Sequence, residues 1–126
     1  MTLSTFHIDT LSFIISGHKD YLVLLAQLPY LQIVDVEYTE VGSFYNYKLN
    51  DDCSVNNAEL NEPDVMLGAG CELLAAELSY GASLFLLVKD NKVKTLEILA
   101  HGGDFPNKEL TEYSLRTIPV NIIDET

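Results

Sequence analysis

The sequence has few basic residues. Seven Lys and Arg residues stand against 19 Asp and Glu residues, which gives a formal net charge of −12 over 126 residues. Affinity for phosphate backbones rests on lysine and arginine, so this balance disfavours nucleic-acid binding. Three of the lysines, Lys89, Lys92 and Lys94, fall on one predicted hairpin, where lysine commonly protects a strand edge.

Long hydrophobic runs are also missing. The longest purely apolar stretches, such as residues 21–26 and 84–88, are far too short to span a bilayer. The first basic residue is Lys19, and His7 and Asp9 interrupt the first apolar run, which is unlike a secretory signal. We therefore expect a cytoplasmic protein with no membrane segment.

The usual signatures of catalytic and metal sites are absent from the sequence. There is no GxxxxGK[ST] phosphate loop, no HExxH zinc motif and no GxSxG nucleophile turn. Cys53 and Cys71 are the only cysteines, and they lack CxxC spacing, which favours two reduced thiols over the alternative of a single disulfide. We expect no metal and no cofactor.

The pattern of apolar residues predicts helices first and strands afterwards. Hydrophobic residues form 48% of the chain, enough for a core in one domain over residues 1–126. Residues 4–28 repeat apolar positions at helical spacing, with Gly17 in the middle and an end at Pro29, which predicts two short helices or one kinked helix. The period then changes to two, and strands are predicted at 31–38, 41–49, 71–78, 82–89 and 92–100, with a further edge strand at 114–123. Turns are predicted at residues 79–81 and at Asp90-Asn91, where both residues tolerate positive φ. We predict an α+β fold in which an N-terminal helical segment precedes a mainly antiparallel sheet of about five strands.

Acidic residues alternate with apolar ones on the first predicted strand, which directs Asp35 and Glu37 toward water and Val34, Val36 and Tyr38 inward. Aromatic anchors surrounded by charge are typical of protein interfaces. The predicted partner-binding residues are Asp35, Glu37, Tyr38, Glu40, Tyr45, Tyr47, Asp51 and Asp52.

Glu97 shares a predicted strand face with apolar residues, and a buried carboxylate needs a partner. Arg116 is the candidate for a buried ion pair with Glu97, provided that the C-terminal strand lies alongside. In a separate hypothesis, Glu97 and His101 would be the acid and base of a small enzyme. Local spacing places no nucleophile beside His101, so we rank this enzyme hypothesis last.

A resemblance to a known family is carried by three stretches: Thr-Glu-Val-Gly-Ser-Phe-Tyr at 39–45, Leu-Phe-Leu-Leu-Val at 84–88 and Leu-Glu-Ile-Leu at 96–99. They resemble a small family of uncharacterised bacterial α+β proteins, in which a Gly-Val-Gly-Phe-Tyr-like strand precedes a hairpin ending in Leu-Glu-Gly. This chain departs from that pattern at Ser43 and at Ile98, where the family has glycine. The resemblance covers about residues 39–105 and implies the fold, with no settled activity.

Size and charge resemble those of bacterial immunity proteins, which neutralise cationic toxins such as nucleases. The leading hypothesis is therefore a non-catalytic acidic protein that binds a basic protein through electrostatic steering. The alternative is a structural or regulatory homodimer. Its basis is the strand at 82–88, which is apolar on both faces and needs cover on both.

Overall fold

The computed structural model describes residues 3–50 and 59–118, and within them it confirms the α+β class with the helices first. The sheet has seven strands in this part of the chain, more than the predicted five. The elements in chain order are α1 (Thr5–Ile15), α2 (Tyr21–Leu25), a 3-10 turn (Leu28–Tyr30), β1 (Leu31–Tyr38), β2 (Gly42–Leu49), β3 (Val65–Leu67), β4 (Cys71–Ala75), β5 (Leu78–Lys89), β6 (Lys92–Ala100) and β7 (Ser114–Thr117).

The N-terminal segment forms two short helices on either side of Gly17, which decides between the two predicted alternatives. Pro29 falls inside the 3-10 turn that ends the helical segment. Gln27, which is fully buried, fixes this end to the sheet: its Nε2 donates to the carbonyl of Asn91 at 2.8 Å, and its Oε1 accepts from the amide of Val93 at 2.9 Å. Among the described residues, neither helix has the length and hydrophobicity needed to cross a membrane.

All strand pairs are antiparallel, and the sheet order is β1-β2-β6-β5-β4-β7. The short strand β3 pairs with β5 at residues 86–88, on the far side from β6. The strand β5 is therefore central, as its two apolar faces predict. The strand β1 lies at one edge of the described sheet, paired with β2 alone.

One predicted turn is wrong and another is confirmed. The chain turns at Ala76 and Glu77, and β5 already begins at Leu78, where the sequence suggested a turn over residues 79–81. Gly81 lies inside β5 with φ +77°, so its turn-like character is a local distortion of a continuing strand. The hairpin turn at Asp90-Asn91 is confirmed, since both residues have positive φ.

The two faces of the sheet differ in burial. The inner face packs against α1 and α2, and its core is formed by residues such as Leu11, Ile15, Leu24, Leu84, Leu86, Leu96 and Ile98, each at most 1% exposed. On the outer face, the alternate residues of β5, Phe85 and Leu87, are only half-buried. A bulge between Ile33 and Asp35 leaves Val34 56% exposed. Val36 is also exposed, at 39%, although the alternation pattern predicts that both residues lie in the core.

Candidate functional site

Three carboxylates and one aromatic ring meet on the outer face of the sheet. The register pairs Glu37 on β1 with Phe44 on β2, and Phe44 with Glu97 on β6. The next row begins with Asp35, whose carboxylate accepts from Asn46 Nδ2 at 3.1 Å. We refer to Asp35, Glu37, Phe44 and Glu97 as the acidic patch. Asp35 and Glu37 are exposed, as the alternation predicts.

A shallow apolar hollow adjoins the acidic patch. It has a volume of about 130 Å³ and is lined by Phe44, Met66, Phe85, Leu87, Thr95 and Glu97. Met66 on β3 is 56% exposed. An apolar centre beside charged residues is the arrangement that protein-binding surfaces use, because the centre excludes water while the rim sets orientation.

Four of the seven basic residues line a hollow other than the one beside the acidic patch. These residues, Lys48, Lys89, Lys92 and Lys94, surround about 450 Å³ at the end of the sheet where the β5–β6 hairpin turns. Lys48 lies only two positions along β2 from Asn46, the hydrogen-bond partner of Asp35. The positive charge of this hollow therefore borders the acidic patch.

The predicted partner-binding residues do not share one surface. Tyr45 and Tyr47 are 1% exposed and belong to the core, so the prediction that they are surface anchors is wrong. Tyr38 lies on their side of the sheet, half-buried, with its hydroxyl 3.4 Å from that of Tyr45. Glu40 is exposed in the β1–β2 turn. The remaining two, Asp51 and Asp52, lie outside the described residues.

Tyr47 belongs to a polar group that we name the inner cluster, which consists of the buried His7 and Tyr47 and the partly exposed Glu109. The Nδ1 of His7 lies 2.7 Å from the Tyr47 hydroxyl, and its Nε2 lies 3.1 Å from a Glu109 carboxylate oxygen. An ionised carboxylate only accepts, so Nε2 carries the proton and the Tyr47 hydroxyl donates to Nδ1. The inner cluster therefore joins α1, β2 and the segment before β7 through a neutral imidazole.

Burial sets the ionisation of these groups. It lowers the pKa of His7, and the nearby Glu109 carboxylate opposes this only in part. Burial likewise raises the pKa of Tyr45 and Tyr47 well above the usual range. Burial and the hydrogen bond to Asp9 raise the pKa of Tyr113 to about 12. All these groups are thus held in their neutral forms.

The predicted ion pair between Glu97 and Arg116 is wrong. The strands β6 and β7 are separated by β5 and β4, which amounts to about 14 Å at the usual spacing of neighbouring strands. Arg116 instead donates from Nε to Glu72 at 2.6 Å, on the neighbouring strand β4. The buried carboxylate that needed a partner is Glu72, which is 4% exposed, whereas Glu97 is only half-buried.

Four residues from four different segments form a second polar group on the outer face, which we name the outer cluster: Ser83, His101, Glu72 and Arg116. The Oγ of Ser83 lies 2.6 Å from His101 Nε2. The Nδ1 of His101 lies 3.3 Å from a Glu72 carboxylate oxygen and 3.0 Å from the Tyr80 carbonyl oxygen. Hydroxyl, imidazole and carboxylate thus follow one another in a chain.

The surroundings of His101 fix its tautomer. A backbone carbonyl can only accept, so Nδ1 carries the proton and donates it to the Tyr80 carbonyl, while a Glu72 carboxylate oxygen lies 3.3 Å away. In a neutral imidazole, Nε2 is then an acceptor, and the Ser83 hydroxyl donates to it. This is the orientation in which an imidazole can remove a proton from serine.

Sequence reasoning identified His101 and missed its partners. Ser83 and Glu72 lie 18 and 29 positions from His101, and they meet because β5 pairs with both β4 and β6. The proximity of Glu72 and Ser83 follows from their pairing between β4 and β5. That pairing depends on the position of the turn at Ala76–Glu77, so only a correct prediction of this turn could have brought the two residues together. Glu97 is not one of these partners: in the register it pairs with Phe85.

Within residues 3–50 and 59–118, no three His, Cys, Asp or Glu side chains are grouped so that they could hold a metal ion. Cys71 is a free thiol, and Cys53 lies outside the described residues. No family model, no curated protein and no solved structure matches this chain.

Proposed function

We propose that this chain is an acidic protein-binding module of the immunity type, and that its acidic patch and the adjoining hollow bind a basic bacterial protein. The observation that carries the proposal is the grouping of Asp35, Glu37 and Glu97 around Phe44 on a sheet face away from the helices. The proposal agrees with the resemblance to immunity proteins in size and charge. Membership of that class, or of the family of uncharacterised bacterial proteins, stays a prediction.

Electrostatics favour a cationic partner. The net charge of −12 and the grouping of Asp35, Glu37 and Glu97 favour a negative potential over the acidic patch. Such a field speeds the encounter with a basic protein by roughly 10- to 1000-fold at low salt. Contact with Phe44 and the hollow then supplies the apolar anchor that slows dissociation.

A second copy of the chain is the alternative occupant of this face. The outer face carries apolar side chains that a partner could bury, namely the half-buried Phe85 and Leu87 and the exposed Met66. In a two-fold dimer, however, the same patch faces itself, and its carboxylates would be brought close to their own copies. Like charges placed together at an interface oppose association, so we favour a basic partner over self-association.

The test begins with capture from lysate of the source cell, followed by titration calorimetry with the captured protein after its purification. A double charge reversal, Asp35→Lys with Glu37→Lys, removes two of the patch carboxylates. The matched control, Glu59→Lys with Glu112→Lys, changes the net charge equally at two exposed positions elsewhere. Phe44→Ala tests the apolar anchor.

We expect the affinity of the purified pair to fall at least tenfold, in order of magnitude, with the patch reversal and with Phe44→Ala, and to decrease with rising salt. The control reversal should lower the affinity less than the patch reversal does. Equal losses from the two reversals would mean that only the total charge matters and would overturn the proposed site. Recovery of this chain alone, as a dimer in light scattering, would replace the basic partner with a second copy.

A further inference from the structure

The outer cluster has the arrangement that nucleophilic serines require. A serine needs a base within hydrogen-bond reach, and the base needs a third group that fixes its orientation. Ser83 lies 2.6 Å from Nε2 of His101, and the opposite nitrogen faces Glu72 and the Tyr80 carbonyl. The outer cluster and the acidic patch share no residue, so the proposed binding function does not explain why these four side chains are brought together.

Accessibility distinguishes this cluster from an ordinary buried network. The His101 side chain is 33% exposed and Ser83 is half-buried, so a small electrophile can reach both. The Glu72 side chain is 6% exposed beneath them. The residues that follow His101 are Gly102 and Gly103. A methyl group placed at Gly103 would meet no atom within 4 Å, whereas one at Gly102 would lie 3.2 Å from the Tyr80 ring.

From this geometry we infer that Ser83 is a nucleophile toward the carbonyl carbon of small carboxylic esters. The Ser83 Oγ forms a bond to that carbon while its proton passes to His101 Nε2. The bond to the leaving oxygen then breaks, that oxygen takes the proton from Nε2, and an alcohol departs from an acyl-serine.

Water completes the reaction. It attacks the acyl carbon and gives one proton to His101 Nε2, the bond to Ser83 Oγ breaks, and that proton returns to the serine oxygen. The sum is ester and water converted to carboxylic acid and alcohol, with no oxidant or reductant.

Glu72 acts through His101 as a positioning residue. Its carboxylate lies 3.3 Å from Nδ1, whose hydrogen bond goes to the Tyr80 carbonyl, so loss of the carboxylate removes a nearby negative charge while Tyr80 still fixes the tautomer. Arg116 in turn fixes the Glu72 carboxylate through its Nε at 2.6 Å. We therefore expect replacement of Glu72 to slow the reaction less than replacement of His101.

The experiment uses p-nitrophenyl acetate with the full chain. Release of p-nitrophenol is followed by absorbance, and the acetylated residue is found by intact-mass and peptide mass spectrometry. The variants are Ser83→Ala, His101→Asn and Glu72→Gln. Ser114→Ala is the matched control because Ser114 is another exposed serine, on β7. Circular dichroism checks that each variant is folded.

We expect one acetyl group on Ser83 in the native protein and in the Ser114→Ala control. His101→Asn should lower the acetylation rate about 100-fold or more, as loss of a general base does. Glu72→Gln should lower it by about tenfold, because Tyr80 retains the tautomer. A positioning role predicts this intermediate rate, whereas a merely structural role predicts a folded variant with the native rate.

Native protein that releases p-nitrophenol no faster than Ser83→Ala does, or at a rate unchanged by His101→Asn, would overturn the inference and leave the outer cluster as a structural hydrogen-bond network. Because water removes the acetyl group again, the acetylated residue is mapped in samples quenched within the first turnover. The outcome is independent of the proposed binding function, whose tests change other residues.

Discussion

Two histidines lie on opposite faces of the same sheet, and each lies between a hydroxyl and a carboxylate. In the inner cluster, His7 has the Tyr47 hydroxyl on Nδ1 and Glu109 on Nε2. In the outer cluster the nitrogens are exchanged: His101 has Glu72 on Nδ1 and the hydroxyl of Ser83 on Nε2. The chemistry of the groups is the same, whereas the burial differs, with side-chain exposures of 0% for His7 and 33% for His101.

Burial decides what each histidine can do. His7 is covered by the core, its ring centre 4.5 Å from that of Tyr45, so no outside molecule can reach its nitrogens. Its hydrogen bonds therefore serve stability, because leaving them unmade in the interior is costly. His101 is open to water, which lowers the stabilising value of its hydrogen bonds but leaves Ser83 reachable. Composition alone does not distinguish a structural cluster from a reactive one.

The largest expected difference between the two clusters is in stability. We predict that His7→Ala lowers the free energy of unfolding by about 3 kcal/mol, because it opens a cavity and leaves the Tyr47 hydroxyl without its partner. The same change at His101 should cost below about 1 kcal/mol, since water replaces the lost bonds. Urea unfolding followed by circular dichroism measures both. Equal losses of unfolding free energy at the two positions would show that burial does not distinguish the two histidines.

A second difference concerns pH. The folded protein holds His7 neutral, with a lowered pKa, whereas the unfolded chain takes up a proton near the ordinary value of 6.5. The unfolded state thus binds more protons below pH 6.5, so the stability from His7 is present above that pH and is lost as the pH falls through the lowered pKa. One such proton changes the free energy of unfolding by at most about 1.4 kcal/mol per pH unit.

The measurement is urea unfolding of the native protein and of His7→Gln between pH 7.5 and 5.5, a range chosen to bracket the ordinary pKa of imidazole. Glutamine retains an amide donor for Glu109 and has no titrating group in this range. We expect the variant to lose less stability than the native protein as the pH falls. Parallel curves for the two proteins would show that His7 is not the group responsible.

The smallest expected effect comes from deleting single hydroxyls. Tyr47→Phe should lower the free energy of unfolding by about 1 kcal/mol, because the buried His7 Nδ1 then loses its donor. Ser83→Ala should cost about half as much or less, because water can reach His101 Nε2. Thermal unfolding of the two variants side by side tests this order. A reversed order would indicate that the outer cluster is the more tightly packed of the two.

Sequence patterns were sufficient for the fold class, and the reason lies in backbone physics. The change of apolar period after Pro29 separates helices from strands, and the Asp90-Asn91 pair marks a hairpin because both residues tolerate positive φ. The same patterns misplaced the turn before β5, because Gly81 signals a bend that the strand accommodates. They also missed β3, which is only three residues long.

The candidate sites were predictable only where local alternation decides the outcome. Asp35 and Glu37 are exposed as the period-two pattern predicts. Tyr45 and Tyr47 follow an equally regular pattern on β2, yet alternation does not say which face the helices cover, and α1 covers theirs. The pairing of Arg116 with Glu72 depends on strand order, which local sequence does not encode.

The sequence by itself determined the negative charge, the helix-then-sheet order and the outward direction of Asp35 and Glu37, because these depend on composition and on residues near each other in the chain. Only the tertiary structure decided that His7 is buried and that His101 meets Ser83 and Glu72. Those contacts join residues 18 to 102 positions apart. Their existence depends on which strands become neighbours and on which sheet face receives the helices, and both are set by packing of the whole core.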